Sequence, residues 1–225
     1  MIKAIVLSAG KGTRMNMNIS KQYIEVLGFP VLYYTLKAFE NADVDEIIIT
    51  TGKDDVDFVK NDIVNKYNIS KVTNVVPGGK ERYDSVMEGL NYVEDDDYVL
   101  IHDGARPLIK KDTINNIIRE VKEKSAVIAA VPVKDTIKIV ENGVAISTPD
   151  RRKLYQIQTP QAFRGEIIKN AYKEMVKIKD TTITDDSMVV EKYSEYRVSV
   201  VESDYTNIKI TTKEDIDIMK TFLKK

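Results

Sequence analysis

The chain has no cysteine and no tryptophan, and a single histidine, His102, among its 225 residues. The lack of cysteine excludes a disulfide scaffold, a thiolate metal site and a cysteine nucleophile. With one histidine, any Ser-His-Asp device or histidine-rich metal centre would have to be built on His102 alone. Neither sign of charge dominates. Lys and Arg number 34 and Asp and Glu 35, for a net charge of -1, so there is no general pull towards nucleic acid or an acidic membrane surface. Anions could be drawn only by a local basic pocket. Long apolar runs are also missing. The longest, Ala126 to Val133, is far short of the ~20 residues of a membrane-crossing helix. The opening MIKAIVLSAG is broken too soon by glycine to serve as a signal-peptide core. Sequons at Asn18 and Asn68 mean nothing without a secretory route, so the cytoplasm is the expected compartment.

What is present suits a folded α/β protein. Hydrophobic residues make up 43% and charged residues 31%, a globular rather than a disordered balance. The length fits one α/β domain with an extension. Short β-rich apolar runs occur at Ile2–Ser8, Glu46–Thr51, Val72–Val76, Tyr98–His102 and Ala126–Val133. Such near-continuous apolar strands predict a sheet covered on both faces. Helical spacing lies between them: Val56, Val59, Ile63 and Tyr67; Tyr83, Val86, Leu90 and Val93; and Ile114, Ile117, Ile118 and Val121 behind Asp112 as a cap. Helices near Glu166–Met175 and Asp186–Tyr193, a strand at Arg197–Glu202 and a helix from Lys213 close the chain. This alternation predicts a doubly wound, mostly parallel sheet.

One segment breaks the alternation. Asn142-Gly143 separates two β-rich runs, Thr136–Val140 and Val144–Thr148, which is a strong hairpin signal. A lone two-stranded hairpin is marginal in water and needs a surface. That surface is either its own domain or a second subunit, and the residues alone do not choose.

Ligands of open α/β sheets bind at the carboxyl ends of the strands. After the first strand come Ala9, Gly10, Lys11, Gly12, Thr13 and Arg14, a turn whose backbone N–H groups could form an anion nest, with two cations beside it. No Gly-Lys-Ser/Thr completes a Walker A loop, and Met15 stands where a dinucleotide fingerprint needs glycine. Lys21 follows shortly. The third strand ends in Pro77-Gly78-Gly79-Lys80-Glu81-Arg82 at a predicted helix start. The fourth ends in His102-Asp103-Gly104-Ala105-Arg106. Strand alternation turns Asp103 away from His102, to the side of Val99 and Ile101. Asp103 suits Mg²⁺, which takes one or two carboxylates plus phosphate oxygens, and the Arg106 fork suits phosphate. His102 reads as a packed, hydrogen-bonded residue. Lys209 sits in the strand-like run Asn207–Thr211, where burial is costly unless it meets an anion. Together these parts predict phosphoryl chemistry on a nucleoside triphosphate and a second phosphate.

The same segments carry a family resemblance. LSAGKGTRM (7–15), SKQY (20–23), GGKERYDSV (78–86), IHDGARP (101–107), VPVKDT (131–136), TPQAF (159–163), TDD (184–186) and NIKIT (207–211) closely resemble the 2-C-methyl-D-erythritol 4-phosphate cytidylyltransferases, in the family's order and over nearly the whole chain. The resemblance implies one Rossmann-like nucleotidyltransferase domain over 1–225, with a mostly parallel sheet flanked by helices and a protruding β-hairpin arm at about 134–152. It implies a homodimer joined through that arm, and a reaction of CTP with a polyol phosphate, aided by Mg²⁺, in the non-mevalonate isoprenoid pathway. Ala9, Gly10, Lys11 and Gly12 would wrap the triphosphate, and Gly79 and Ser85 would help recognise cytosine. Arg14 and Lys21 would stabilise the transition state. Asp103 would hold Mg²⁺ and contact the acceptor. Arg106, Thr136, Arg151, Thr159 and Lys209 would position the acceptor, with Thr136 and Arg151 lent by the other subunit. Ser8 and Lys80 depart from the common family pattern. The rival readings are a ribitol 5-phosphate cytidylyltransferase, which tends to carry Asp-Ala-Val-Arg-Pro where this chain has Asp-Gly-Ala-Arg-Pro, and a nucleotide-binding regulatory protein without catalysis.

Overall fold

The computed structural model describes residues 1–10 and 20–224. Strand β1, Ile2–Ser8, lies in a seven-stranded sheet with β4 (Glu46–Thr51), β5 (Val72–Pro77), β6 (Tyr98–Asp103), β7 (Ala126–Pro132), β10 (Tyr155–Arg164) and β11 (Ser199–Glu202). The order is β11-β7-β10-β6-β1-β4-β5. Every pairing is parallel except those of β10, which runs antiparallel to both β6 and β7. Short strands β2 (Glu25–Val26) and β3 (Phe29–Pro30) pair separately, as do β8 (Ile139–Glu141) and β9 (Val144–Ser147).

Helices cover both faces, and this is why the strands are apolar at consecutive positions. On β1, Ala4 and Val6 join a core with α1 (Val31–Glu40), α4 (Lys111–Lys124) and the helical stretch that starts as α2 (Val56–Phe58) and continues as a π-helix at Val59–Asn65. Ile5, between them, points to the other face. There it packs with α3 (Arg82–Leu90), α5 (Gly165–Ile178) and α6 (Asp186–Tyr193). A smaller cluster joins α1 to the closing helix α7, Lys213–Leu223, through Val31, Ile210 and Met219.

Several expectations change. Asp112 does not cap α4. The N-cap position is Lys110, and Asp112 lies in the first turn, where a carboxylate still complements the helix dipole. Asn207–Thr211 is not a strand; Ile210 N–H donates to the Ala105 carbonyl at 2.8 Å instead. The last strand starts at Ser199 rather than Arg197. Strand β10 and helix α1 have no counterpart among the predicted elements. Pro160 explains the first omission: proline argues against a central strand, and the β10–β7 register indeed shifts between Ile157 and Gln161, around it. The Asn142-Gly143 hairpin forms as predicted. Both turn residues have positive φ, 50° and 81°, as a type I′ turn requires.

Chain order reverses at the middle of the sheet. From β1 the chain moves outwards to β4 and β5, then returns to β6 on the other side of β1. The ends of β1, β5 and β6 therefore border one crevice at a topological switch point.

Candidate active site

The first wall of the crevice is the exit of β1. Ala9 and Gly10 line it, as do Lys21 and Gln22 from a 3-10 turn at Lys21–Tyr23. Gln22 is buried, and its Nε2 donates to the carbonyls of Ser8 at 2.7 Å and Gly10 at 3.0 Å. This side chain ties the turn carrying Lys21 to the end of β1. Beneath it, Tyr23 shares a 2.5 Å hydrogen bond with Thr51. Lys11, Gly12 and Arg14 lie outside the described residues.

The second wall follows β5. Ser85 Oγ accepts from the Gly79 N–H at 3.1 Å and donates to the Glu81 carbonyl at 3.3 Å, holding the glycine turn against the start of α3. Side chains are excluded here, at Gly78 by the opposite wall and at Gly79 by the start of α3. A Cβ on Gly78 would stand 2.7 Å from Ala9 Cβ, and one on Gly79 only 2.1 Å from Asp84 Cβ. A capping box of Glu81 and Asp84 starts the helix.

Asp103, at the end of β6, forms the floor. It is 7% exposed and touches three cations. Lys209 Nζ lies 2.8 Å from Oδ2, Arg106 Nε 3.5 Å from Oδ2, and Arg82 Nε 3.4 Å from Oδ1. Burial alone would raise its pKa, but the charges of Arg82, Lys209 and Arg106 outweigh that and hold the carboxyl well below the usual carboxylate range. Lys209 thus meets the anion its apolar surroundings demanded. Arg106 also donates to the Asn207 carbonyl at 2.9 Å, and burial lowers its pKa.

His102 faces the other way. It is fully buried and packs against Phe39, with ring centroids 4.9 Å apart. Nε2 lies 3.2 Å from the Arg106 carbonyl. A carbonyl only accepts, so Nε2 carries the proton and Nδ1 accepts from Thr159 Oγ1 at 3.0 Å. Burial pushes the imidazole pKa down to about 3. The ring is neutral and committed to structure. Thr159 is committed as well: its hydroxyl accepts from the Asp103 N–H at 3.1 Å, so it braces the floor from below and does not line the crevice.

Thr136 and Arg151 are exposed near the ends of the arm segment and do not line the crevice of their own chain. Arg151 donates to the Lys134 carbonyl at 2.6 Å. Three contributors to the site were not singled out in the sequence: Gln22, Arg82 and Asp186. Arg82 carried a signal. A cation at the first position of α3 opposes the helix dipole, and such a placement demands a compensating anion.

Chemically, the crevice offers four cations, Lys21, Lys80, Arg82 and Lys209, against two carboxylates, Glu81 and Asp103. It suits an anionic ligand, held by backbone donors and fixed charge. Among the described residues no group of three carboxylates or histidines could hold a metal by itself.

The comparisons with known proteins agree with this chemistry. The family pattern of IspD, 2-C-methyl-D-erythritol 4-phosphate cytidylyltransferase, matches residues 2–225. The chain is 51% identical to the 2-C-methyl-D-erythritol 4-phosphate cytidylyltransferase of Lachnoclostridium phytofermentans, over 99% of this chain and 96% of that one. It is 48% identical to the enzyme of the same name from Lachnospira eligens, over the full length of both. Its fold is similar to the crystal structure of 4-diphosphocytidyl-2C-methyl-D-erythritol synthase from Anaerococcus prevotii, with a TM-score of 0.87 and 38% identity over 100% of this chain and 96% of that one.

Proposed function

The chain belongs to the 2-C-methyl-D-erythritol 4-phosphate cytidylyltransferase (IspD) family, and from that premise we propose how its crevice carries the reaction. The protein is a nucleotidyltransferase with cytidylyltransferase activity in the non-mevalonate isoprenoid pathway. Its substrates are CTP and 2-C-methyl-D-erythritol 4-phosphate. An oxygen of the acceptor phosphate attacks the α-phosphorus of CTP, and pyrophosphate leaves.

That nucleophile is already ionised at neutral pH, so no general base is required. The obstacle is repulsion between two polyanions. Catalysis is then positioning and charge stabilisation by groups fixed beforehand. The observation that carries this reading is the Asp103 cluster: three cations gathered around one carboxylate, on the floor of a crevice that Lys21 also lines. Asp103 holds these cations in place while the crevice is empty, and anionic substrates take over part of that role. In our reading Ala9, Gly10, Lys11 and Gly12 cradle the triphosphate, and Gly79 and Ser85 border the cytosine. Arg14 and Lys21 stabilise the charge developing at the α-phosphorus. Arg106 and Lys209 receive the acceptor phosphate, and Thr159 acts by bracing Asp103. For Mg²⁺, the lone Asp103 carboxylate fits an ion that needs only one or two carboxylates beside phosphate oxygens, and Asp103 would hold it together with the triphosphate. Bound there, the ion would offset phosphate charge.

The arm supplies the rest. We read residues 1–225 as one catalytic domain whose segment at about 134–152 reaches a second copy of the chain. Strands β8 and β9 pair only with each other among the described residues, and their apolar side chains are bare, Val144 at 62% and Ile146 at 55% exposure. A two-stranded ribbon needs a surface to lie on, and a partner related by two-fold symmetry provides it reciprocally. Thr136 and Arg151 would then serve the partner's crevice. Pyrophosphate release tests the whole reading. We expect turnover with CTP and 2-C-methyl-D-erythritol 4-phosphate, and little with ribitol 5-phosphate; equal or greater turnover with ribitol 5-phosphate would reassign the acceptor, and none with either would remove the catalytic role.

A further inference from the structure

Asp103 is held by partners of two kinds. Lys209 has a side chain 36% exposed, and Asp103 is its one ion-pair partner among the described residues; it can turn to a substrate anion. Arg82 is anchored. Its two terminal nitrogens clasp Asp186 in a fork, Nη1 to Oδ1 at 2.9 Å and Nη2 to Oδ2 at 2.8 Å. Asp186 is fully buried, and Tyr172 donates to its Oδ1 at 2.6 Å. This leaves Arg82 Nε directed at Asp103 Oδ1, 3.4 Å away. The chain of groups runs from α5 through the first turn of α6 to the first residue of α3 and the end of β6.

Both hydrogen bonds to Asp186 come from the plane of the guanidinium, so they fix its orientation as well as its position. Asp186 also neutralises a cation placed at a helix N-terminus, where the dipole disfavours it. A substrate phosphate cannot easily draw Arg82 away, because that would strand the Asp186 carboxylate in the interior.

We infer that Arg82, locked by Asp186 and Tyr172, is a positioning residue: it keeps the Asp103 carboxylate in place and charge-paired when Lys209 and Arg106 turn to the acceptor phosphate. This rests on the assignment of Asp103 and Lys209 to substrates made above. Arg82→Lys keeps the charge and loses the fork. We expect its kcat to fall about 10–100-fold, the usual cost of losing a group that orients a ligating carboxylate, with KM for CTP unchanged. Tyr172→Phe, which removes only the hydroxyl on Asp186, should lower kcat by a smaller factor in the same direction. Leu90→Ala, a core change on the same helix, should lower Tm and leave kcat unchanged.

The deciding measurement is a double-mutant cycle on kcat. If Arg82 acts through Asp103, Arg82→Lys costs nothing further in an Asp103→Asn background, with residual turnover followed by radiolabelled CTP. A full additive loss there would make Arg82 a direct substrate contact and overturn the inference. So would a Leu90→Ala enzyme that loses as much kcat as Arg82→Lys at a matched fall in Tm. Normal turnover of Arg82→Lys beside a crippled Asp103→Asn enzyme would sink this inference alone. Normal turnover of Asp103→Asn would sink the underlying site assignment with it.

Discussion

The crevice and the β-arm solve opposite problems. In the crevice, charges that would be costly to bury singly are gathered until each has a partner: Asp103 with Arg82, Arg106 and Lys209, and Asp186 with Arg82 and Tyr172. Everything needed to keep that cluster folded comes from one chain. The arm does the reverse. It exposes apolar side chains, and nothing of its own chain among the described residues covers them. The contrast teaches that the crevice is preorganised by its own chain where it must oppose charge repulsion, while the arm is left open to a surface that the described residues of its own chain do not supply. Fixed dipoles and charges act without reorganising during the reaction, whereas the arm exchange proposed above would couple activity to assembly.

The contrast breaks most sharply at Lys21 and Asp103. Lys21→Ala should lower turnover by on the order of 10²–10³, the cost of one preorganised donor, with Tm preserved because the side chain lines the crevice and not the core. Near-normal turnover in a folded Lys21→Ala protein would contradict the role assigned to Lys21.

The arm's side of the comparison is sharpened by mixing. Shortening 136–148 to a tight turn should give a folded monomer by analytical ultracentrifugation with greatly reduced turnover. Lys21→Ala and Arg151→Ala proteins, each nearly inactive, should regain activity when unfolded and refolded together, because one crevice of the mixed dimer then has both residues intact. Failure to regain any would place Arg151 in its own chain's site.

The remaining effect is on stability, not turnover, and concerns the buried underside of the crevice. His102 has an ordinary pKa of 6.5 and is held near 3 in the fold by burial. Below pH 6.5 the unfolded chain takes up a proton that the folded chain refuses, so stability falls as pH falls, by up to about 1.4 kcal/mol per pH unit until the pH nears 3. Urea unfolding between pH 4 and pH 7 should therefore show a flatter dependence for His102→Gln than for the parent. Parallel curves would mean that the imidazole titrates normally and is not sealed beneath the floor.

Much of this molecule was legible without coordinates. Five predicted parallel strands, the helices over 82–90, 111–124 and 186–193, and the Asn142-Gly143 turn all emerge near their predicted places. Each depends on local rules: apolar periodicity, or a φ that few residues accept. Gly10, Gly79 and Asp103, at or just past strand ends, stood out because strand ends in an open sheet are where ligands bind, whereas Ser85, in the first turns of α3, was named only through the family resemblance.

The sequence by itself thus determined where the chain would turn, which strands would be buried on both faces, and which short segments would meet at the carboxyl ends of those strands. Only the tertiary structure decided that β10 would enter the sheet in reverse beside β6, that the Thr159 hydroxyl would turn inward to brace Asp103, and that Arg82 would reach an aspartate 104 residues away. The physical reason is range. Backbone preference and hydrophobic period act over a few neighbours, whereas the partner of a buried charge is chosen by whichever distant segment the topology carries alongside it.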